Sequence, residues 1–207
     1  MNKTSEIMNY LDYLIPEPKC ALNYKKDYEL LISIMLSAQT TDKRVNEVTK
    51  VMYNKYPSLK ALKGANLKDI ENIIRSLGSY TKKAKAVLII AKMLDEEYNG
   101  IVPTKRDILE SFPMVGRKTT NVFLSEYYNI PNIAVDTHVE RVSKRLGLAK
   151  KTDSVLQIES KLKKKFPKDK WCRLHLQMVL FGRHYCMARN PKCDTCKIKD
   201  LCKEKRA

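Results

Sequence analysis

The spacing of apolar residues constrains the fold of this chain more than any other feature. From Asp27 to about Tyr185 these residues recur at intervals typical of amphipathic helices, and no segment alternates as a half-buried strand does. Asp27–Leu36 is almost entirely apolar after its first turn, which predicts a buried central helix. The sequence therefore predicts an all-α protein with about ten helices.

Capping residues mark where several of these helices begin and end. Thr41 or Asp42 is placed to cap one helix, and Asn66 is placed to cap the next. Gly78 stands where a C-terminal cap in the left-handed conformation is expected. Asp136 precedes an apolar helical pattern and is expected to begin a further helix.

An excess of basic residues indicates a polyanionic partner. The chain has 40 Lys and Arg against 23 Asp and Glu, a formal net charge of +17, and the excess extends over its whole length. Such a balance favours nucleic acid. No apolar run approaches the ~20 residues needed to cross a bilayer, and the first residues lack a secretory signal pattern. We expect a cytoplasmic protein without a membrane partner, associated with the nucleoid when it binds DNA.

Four of the six cysteines lie close together near the C-terminus, with the spacing C-x6-C-x2-C-x5-C. They are Cys186, Cys193, Cys196 and Cys202. Structural disulfides are not expected in a reducing compartment, so a metal centre is the better explanation. Zinc is usually held by two short arms joined by a longer stretch, whereas here one short arm has a medium loop on either side. The spacing favours a [4Fe–4S] cluster and leaves zinc as the alternative.

The stretch Phe112–Leu124 carries the candidate chemistry. Its Pro and Gly residues predict a tight hairpin that opens onto a helix, whose first N–H groups suit a phosphate. Lys118 lies just inside that helix, where the helix terminus and the adjacent Arg117 both favour the uncharged amine. From the residues alone, Lys118 is either a nucleophile or a phosphate contact, and Asp136 is either an acid or only an N-cap.

Four motifs occur in a fixed order along the chain. They are Leu36-Ser-Ala-Gln-Thr-Thr-Asp42, Phe112-Pro-Met-Val-Gly-Arg-Lys-Thr-Thr-Asn-Val122, Ala134-Val-Asp-Thr-His-Val139 and the four-cysteine tail. In order and spacing they resemble the endonuclease III family, the helix-hairpin-helix DNA glycosylases with abasic-site lyase activity. The resemblance runs from about residue 20 to Cys202.

The resemblance implies two all-α domains with a DNA-binding cleft between them. A six-helix barrel with the hairpin would span residues 22–131, and residues 1–21 with 132–207 would form a second domain. The cluster loop at 186–202 would hold a [4Fe–4S] cluster rather than zinc. The implied partner is double-stranded DNA containing damaged pyrimidines or abasic sites, and a monomer is sufficient for the reaction.

The resemblance also implies roles for single residues. Lys118 would form a Schiff base with the sugar of a flipped nucleotide, and Asp136 would be its partner acid. Gln39 would fill the gap left by the flipped base, whereas Lys83 and Lys85 are expected to act only as general cations. The residues predicted at the DNA, with Arg189 and Lys192 added because their loop is basic, are Gln39, Val115, Gly116, Arg117, His138, Arg189 and Lys192.

Two positions depart from the family pattern. Met114 stands where the family hairpin usually has a glycine, and Ser79 replaces a larger apolar residue commonly used as a wedge. Two alternatives remain open. A mismatch adenine glycosylase shares the fold and cluster but lacks the lysine and carries a C-terminal recognition domain. A non-catalytic, redox-sensing DNA-binding protein needs neither Lys118 nor Asp136.

Overall fold

The computed structural model describes residues 2–204 and divides the chain into two compact units. One unit is Cys20–Tyr127, and the other combines Met1–Lys19 with Tyr128–Ala207. Residues 1 and 205–207, which the sequence assigns to the second domain, lie outside the described part.

All regular structure within residues 2–204 is helical, which confirms the predicted class. The α-helices are α1 (Lys3–Leu14), α2 (Asp27–Leu36), α3 (Asp42–Lys55), α4 (Leu59–Lys63), α5 (Leu67–Ile73), α6 (Tyr80–Glu97), α7 (Arg106–Ser111), α8 (Arg117–Tyr128), α9 (Thr137–Arg145), α10 (Val155–Lys165) and α11 (Trp171–His184). Short 3-10 turns occupy Lys168–Lys170 and Lys199–Leu201. No helix in this part of the chain is both long and apolar enough to cross a membrane.

Helix α2 is the centre of the unit formed by residues 20–127. Every residue of α2 after Asp27 is buried, as its apolar sequence predicts. The α6 helix packs against α2, α4 and α5. The Asp27 carboxylate accepts a hydrogen bond from the Val102 N–H at 2.7 Å, and the Tyr53 hydroxyl donates to the Glu29 carbonyl at 3.0 Å.

The predicted caps are present in this unit, with one correction. Thr41 accepts a hydrogen bond from the Arg44 N–H, and Asn66 accepts one from the Lys68 N–H. The expectation for Gly78 was wrong, because the left-handed residue is Ser79, with φ 56°. Since α5 already ends at Ile73, the reversal of the chain falls immediately before α6, at the N-cap of that helix.

The second unit packs α1, α9, α10 and α11 around one apolar core. That core includes Ile7, Leu11, Val139, Val142 and Phe181. Helices α9 and α11 approach closely at Gly182, where an added Cβ would lie 2.8 Å from the Cβ of His138. Gly182 therefore fixes how near the start of α9 can come to α11.

Candidate active site and metal centre

The hairpin between α7 and α8 is anchored by two buried side chains. Phe112 packs edge-on against Tyr98, with ring centroids 5.7 Å apart. Val115 is only 3% exposed, and its N–H donates to the Phe112 carbonyl at 3.1 Å. Val115, which the sequence places among the DNA contacts, thus holds the turn from inside.

Met114 occupies the tip of this turn in the left-handed conformation, with φ 62°. A non-glycine residue there costs on the order of 1 kcal/mol relative to glycine. The side chain is 44% exposed, so packing inside the unit does not require it. The turn therefore needs the left-handed conformation that the usual glycine supplies, and this chain achieves it with a strained methionine.

Gly116 leads from the hairpin into α8. The Thr120 N–H donates to the Gly116 carbonyl at 3.0 Å, which is the first backbone hydrogen bond of α8. The N–H groups of residues 117–119 therefore have no acceptor within the helix. An added Cβ at Gly116 would meet no atom within 4 Å, and its φ is not positive. The fold therefore does not require glycine at this position.

Lys118 lies in the first turn of α8, as predicted. Its side chain is exposed and makes no hydrogen bond or ion pair with any of residues 2–204. The neighbouring Arg117 is also exposed, and the first turn contains no acidic residue. The amine is therefore not neutralised by a local carboxylate, and it projects from the positive end of a helix.

Asp136 is the N-cap of α9, also as predicted. Its Oδ1 accepts hydrogen bonds from the N–H groups of His138 at 2.9 Å and Val139 at 2.8 Å. Oδ2 has no hydrogen-bond partner among residues 2–204. The carboxylate is half-buried, with one oxygen fixed by the helix and the other available for chemistry.

His138 is half-buried beside Arg141. The Arg141 Nη2 lies 3.2 Å from His138 Nδ1. Burial lowers the pKa of His138, and the positive charges of Arg141 and Arg183 oppose the raising effect of Asp136. The imidazole is therefore neutral near pH 7.

The four clustered cysteines border a single cavity of about 460 Å³. None of the six cysteines forms a disulfide. No three His, Cys, Asp or Glu side chains in the described residues converge as ligands of a single metal ion do. Four cysteine thiols around one cavity are a ligand set that suits a [4Fe–4S] cluster.

Arg145, which was not predicted to be a functional residue, holds the first residues of the cluster loop by hydrogen bonds. It is only 5% exposed and donates hydrogen bonds to the Met187 carbonyl at 2.7 Å and the Ala188 carbonyl at 3.3 Å. Its Nη1 lies 3.4 Å from Cys186 Sγ, and its Nε donates to Glu204 at 3.0 Å. A buried arginine on a short polar helix gives no sequence signal by itself.

The remaining predicted DNA contacts lie on exposed loops. Gln39 follows α2 and has φ 57°. Arg189 and Lys192 are exposed in the cluster loop, and the Lys192 amine lies 5.3 Å from the centre of the Tyr185 ring. Gln39 and residues 115–118 thus belong to the unit of residues 20–127, whereas Asp136, His138 and the cluster loop belong to the other.

Lys83 differs from the expectation of a general surface cation, because it is only 1% exposed. Its amine donates hydrogen bonds to the carbonyls of Leu36 and Ala38. The spacing of α6 contained a signal: Lys83 shares a helix face with Val87 and Ile90, which are buried. The pattern alone does not predict a buried lysine, because lysine is rarely buried.

Two known protein families match segments of this chain. The family described as "HhH-GPD superfamily base excision DNA repair protein" matches residues 32–168. The family described as "Iron-sulfur binding domain of endonuclease III" matches residues 186–202, which run from the first to the last cysteine of the cluster loop.

Individual relatives match over nearly the whole chain. Endonuclease III of Bacillus subtilis (strain 168) is 44% identical over 191 residues, covering 92% of this chain and 87% of the relative. Endonuclease III of Escherichia coli (strain K12) is 39% identical over 207 residues, covering 99% and 98%. A solved structure described as a trapped endonuclease III–DNA covalent intermediate is 43% identical, with a TM-score of 0.91, and covers 99% of this chain and 97% of that one. The chain therefore belongs to the endonuclease III family of the HhH-GPD superfamily.

Proposed function

We propose that this enzyme excises oxidised pyrimidines from double-stranded DNA through a Schiff base on Lys118, and then cleaves 3′ to the abasic site by β-elimination. The chain is a base excision repair DNA glycosylase with abasic-site lyase activity. The observation that carries the assignment to Lys118 is its exposed amine in the first turn after the hairpin, with no carboxylate partner among residues 2–204.

The first step forms a bond between the Lys118 nitrogen and C1′ of a nucleotide extruded from the duplex. The N-glycosidic bond breaks, its electron pair leaves with the base, and the amine loses a proton. An amine must be neutral to attack.

Asp136 supports this step with the oxygen that the helix cap does not use. Positive charge builds on the sugar as the base departs, and a fixed carboxylate stabilises it. The two capping bonds to Oδ1 hold the side chain in place. Oδ2 serves as the negative group or the proton acceptor.

The second step breaks the sugar–phosphate bond. Once the sugar ring has opened, the imine makes the 2′ hydrogen acidic. Loss of that proton expels the 3′ phosphate, and hydrolysis of the imine frees Lys118. The solved relative described as a trapped covalent intermediate supports covalent chemistry of this kind here.

The chain's [4Fe–4S] cluster belongs, in this proposal, on the thiolates of the four cysteines that border one cavity. Cys186, Cys193, Cys196 and Cys202 supply the ligands, and the cluster closes the loop that carries Arg189 and Lys192. Held at both ends, this loop presents its two exposed cations to DNA phosphates. No step at the sugar passes through the cluster.

The hairpin contributes backbone rather than side chains to DNA binding. Gly116 has open space where a Cβ would be, and the N–H groups of the first turn of α8 follow it. A bare backbone of this kind lets a phosphate approach closely. Gln39 fills the gap left by the flipped nucleotide, and His138, two residues after Asp136, is a further DNA contact.

The same proposal has a monomer acting in the cytoplasm, on the nucleoid when bound to DNA. The two alternatives are not favoured. The relatives that match over nearly the full length are endonuclease III proteins. Lys118, which a mismatch adenine glycosylase lacks, is present and exposed.

Borohydride trapping tests the proposal directly. Duplex DNA containing thymine glycol or an abasic site is incubated with the protein and borohydride, which reduces the imine to a stable amine. Wild-type protein should form a covalent adduct, and Lys118→Ala should form none while still binding an abasic-site analogue. Absence of the wild-type adduct, or an undiminished adduct in Lys118→Ala, would contradict the assignment.

A further inference from the structure

Lys83 places its amine inside the protein, against the backbone at the end of α2. The Nζ donates to the Leu36 carbonyl at 2.9 Å and to the Ala38 carbonyl at 2.8 Å. The side chain is almost fully buried, and burial lowers the pKa of the Lys83 amine. Burying an amine has a large desolvation cost, so the two bonds it makes need an explanation.

The other carbonyls at this helix end are satisfied locally. The Ser37 N–H donates to the Ser33 carbonyl at 3.0 Å, and the Ser37 hydroxyl donates to that of Ile34 at 2.7 Å. The Ala38 N–H donates to the Met35 carbonyl at 3.4 Å. The buried Leu36 carbonyl is left for Lys83, which therefore caps the helix with a cation at its negative end.

The second hydrogen bond of the Lys83 amine, to the Ala38 carbonyl, lies beyond the C-terminal end of α2. Ala38 is exposed and immediately precedes Gln39, which takes the left-handed conformation with φ 57°. Water could satisfy an exposed carbonyl at no structural cost. The amine instead fixes the peptide that begins the Gln39 loop and restricts the positions this exposed side chain can reach.

The main chain of Lys83 makes the first backbone hydrogen bond of α6, as any non-proline residue at this position would. Its N–H donates at 3.0 Å to the carbonyl of Ser79, the exposed left-handed residue before α6. The side-chain contact to the Gln39 loop is therefore specific to lysine, whereas the main-chain contact to Ser79 is not. These are the loops whose tips, Gln39 and Ser79, occupy the family's gap-filling and wedge positions.

We propose that Lys83 is a positioning residue, which holds the Gln39 loop in the conformation that enters the duplex when a nucleotide is extruded. The inference rests on the proposed function, in which Gln39 fills the resulting gap. Lys83 does not touch DNA; it acts through the Leu36 and Ala38 carbonyls. Lys83 should therefore affect only reactions on duplex DNA, in which an extruded nucleotide leaves a gap.

The first test compares a substrate in which the extruded nucleotide leaves a gap with one in which it leaves none. Lys83→Met retains the apolar stem and removes the amine. Its single-turnover excision of thymine glycol from duplex DNA should fall by at least ~10-fold. Its cleavage at an abasic site in single-stranded DNA, where no opposite strand leaves a gap, should change by less than ~2-fold. Equal losses on both substrates would overturn the proposal.

Two further variants separate positioning from stability. Lys83→Arg keeps buried N–H donors at the same place and should recover most of the duplex activity if donation to the two carbonyls is what matters. Lys92→Met removes an exposed lysine from the same helix and should leave both activities unchanged. Thermal unfolding accompanies each variant. If Lys83→Met does not fold, Lys83→Gln takes its place in the same comparison.

A double-mutant cycle with Gln39→Ala completes the test. If Lys83 acts through Gln39, Lys83→Met should cost less than ~2-fold on duplex DNA once Gln39 is truncated. Independent, multiplying losses would overturn the role of Lys83 while leaving Gln39 in the proposed function. A normal duplex rate for Gln39→Ala alone would instead remove Gln39 from the proposed function, and the inference on Lys83 with it.

Discussion

Asp136 serves both the fold of this protein and its proposed chemistry. Asp136 uses Oδ1 to cap α9, with bonds of 2.8 and 2.9 Å, and keeps Oδ2 clear of other hydrogen bonds within residues 2–204. A carboxylate that only capped the helix could be replaced by any good capping residue. This distinction makes its two roles separable by mutation.

Asp136→Asn should separate them. Asparagine caps helices about as well as aspartate, so the free energy of unfolding should fall by less than about 1 kcal/mol. The loss of the negative charge should reduce base excision by at least ~10²-fold. Thermal unfolding and single-turnover excision measure the two effects. A wild-type excision rate in Asp136→Asn would show that the residue is an N-cap alone.

Met114 is strained by its conformation rather than held by packing. Because its φ is 62° and its side chain is 44% exposed, Met114→Gly should raise the free energy of unfolding by up to about 1 kcal/mol. The greater freedom of glycine in the unfolded chain reduces this gain. Chemical denaturation measures it. A clear loss of stability would mean that the exposed methionine makes contacts that the turn needs.

At the scale of elements, close packing between α9 and α11 sets the position of the Asp136 cap. The contact runs through Gly182, where an added Cβ would lie 2.8 Å from His138 Cβ and 3.2 Å from Arg141 Nη2. The Gly182 carbonyl also accepts a hydrogen bond from Arg141 at 2.6 Å. A larger residue here must push the start of α9 away.

Gly182→Ala should therefore lower the free energy of unfolding by about 1–3 kcal/mol, less the helix propensity gained from alanine. It should also reduce excision, since the cap residue moves with the helix. Gly64→Ala is the matched control, because its new Cβ would meet only ordinary contacts at 3.7 and 3.8 Å. Similar unfolding midpoints for the two variants would contradict the packing argument.

The elements themselves were largely predictable, and their packing was not. The bounds of α2, the Thr41 and Asn66 caps and the Asp136 cap follow from local sequence, because periodicity and capping are properties of a few neighbouring residues. The roles of Lys83 and Arg145 depend on partners distant in the chain. No local pattern identifies a carbonyl 45 or 47 residues away as an acceptor.

The whole molecule carries an excess of positive charge that fits a polyanionic substrate. The formal net charge is +17 over 207 residues. Two of these cations, Arg189 and Lys192, are exposed on the cluster loop, whose first ligand is fastened by buried Arg145. Long-range attraction of this kind depends on salt, whereas contacts within the folded units do not to the same degree.

Neutralising Arg189 and Lys192 should weaken binding to an abasic-site analogue and flatten its salt dependence. The slope of log K against log salt should fall by about 0.9 for each lost phosphate contact, or ~1.8 for the pair. Replacing exposed Lys164 and Lys165 on α10 is the charge-matched control and should change the slope less. Equal slopes for the two double variants would show that the cluster loop is not part of the DNA-binding surface.

The central claim is that one amine among many does the chemistry, and mapping the trapped adduct tests it most directly. After borohydride reduction on abasic-site DNA, the protein is digested and the peptide carrying the sugar remnant is identified by mass spectrometry. The account predicts the added mass on Lys118 at the start of α8, with none on the other lysines. An adduct on another lysine or on the N-terminal amine, with Lys118 unmodified, would contradict it.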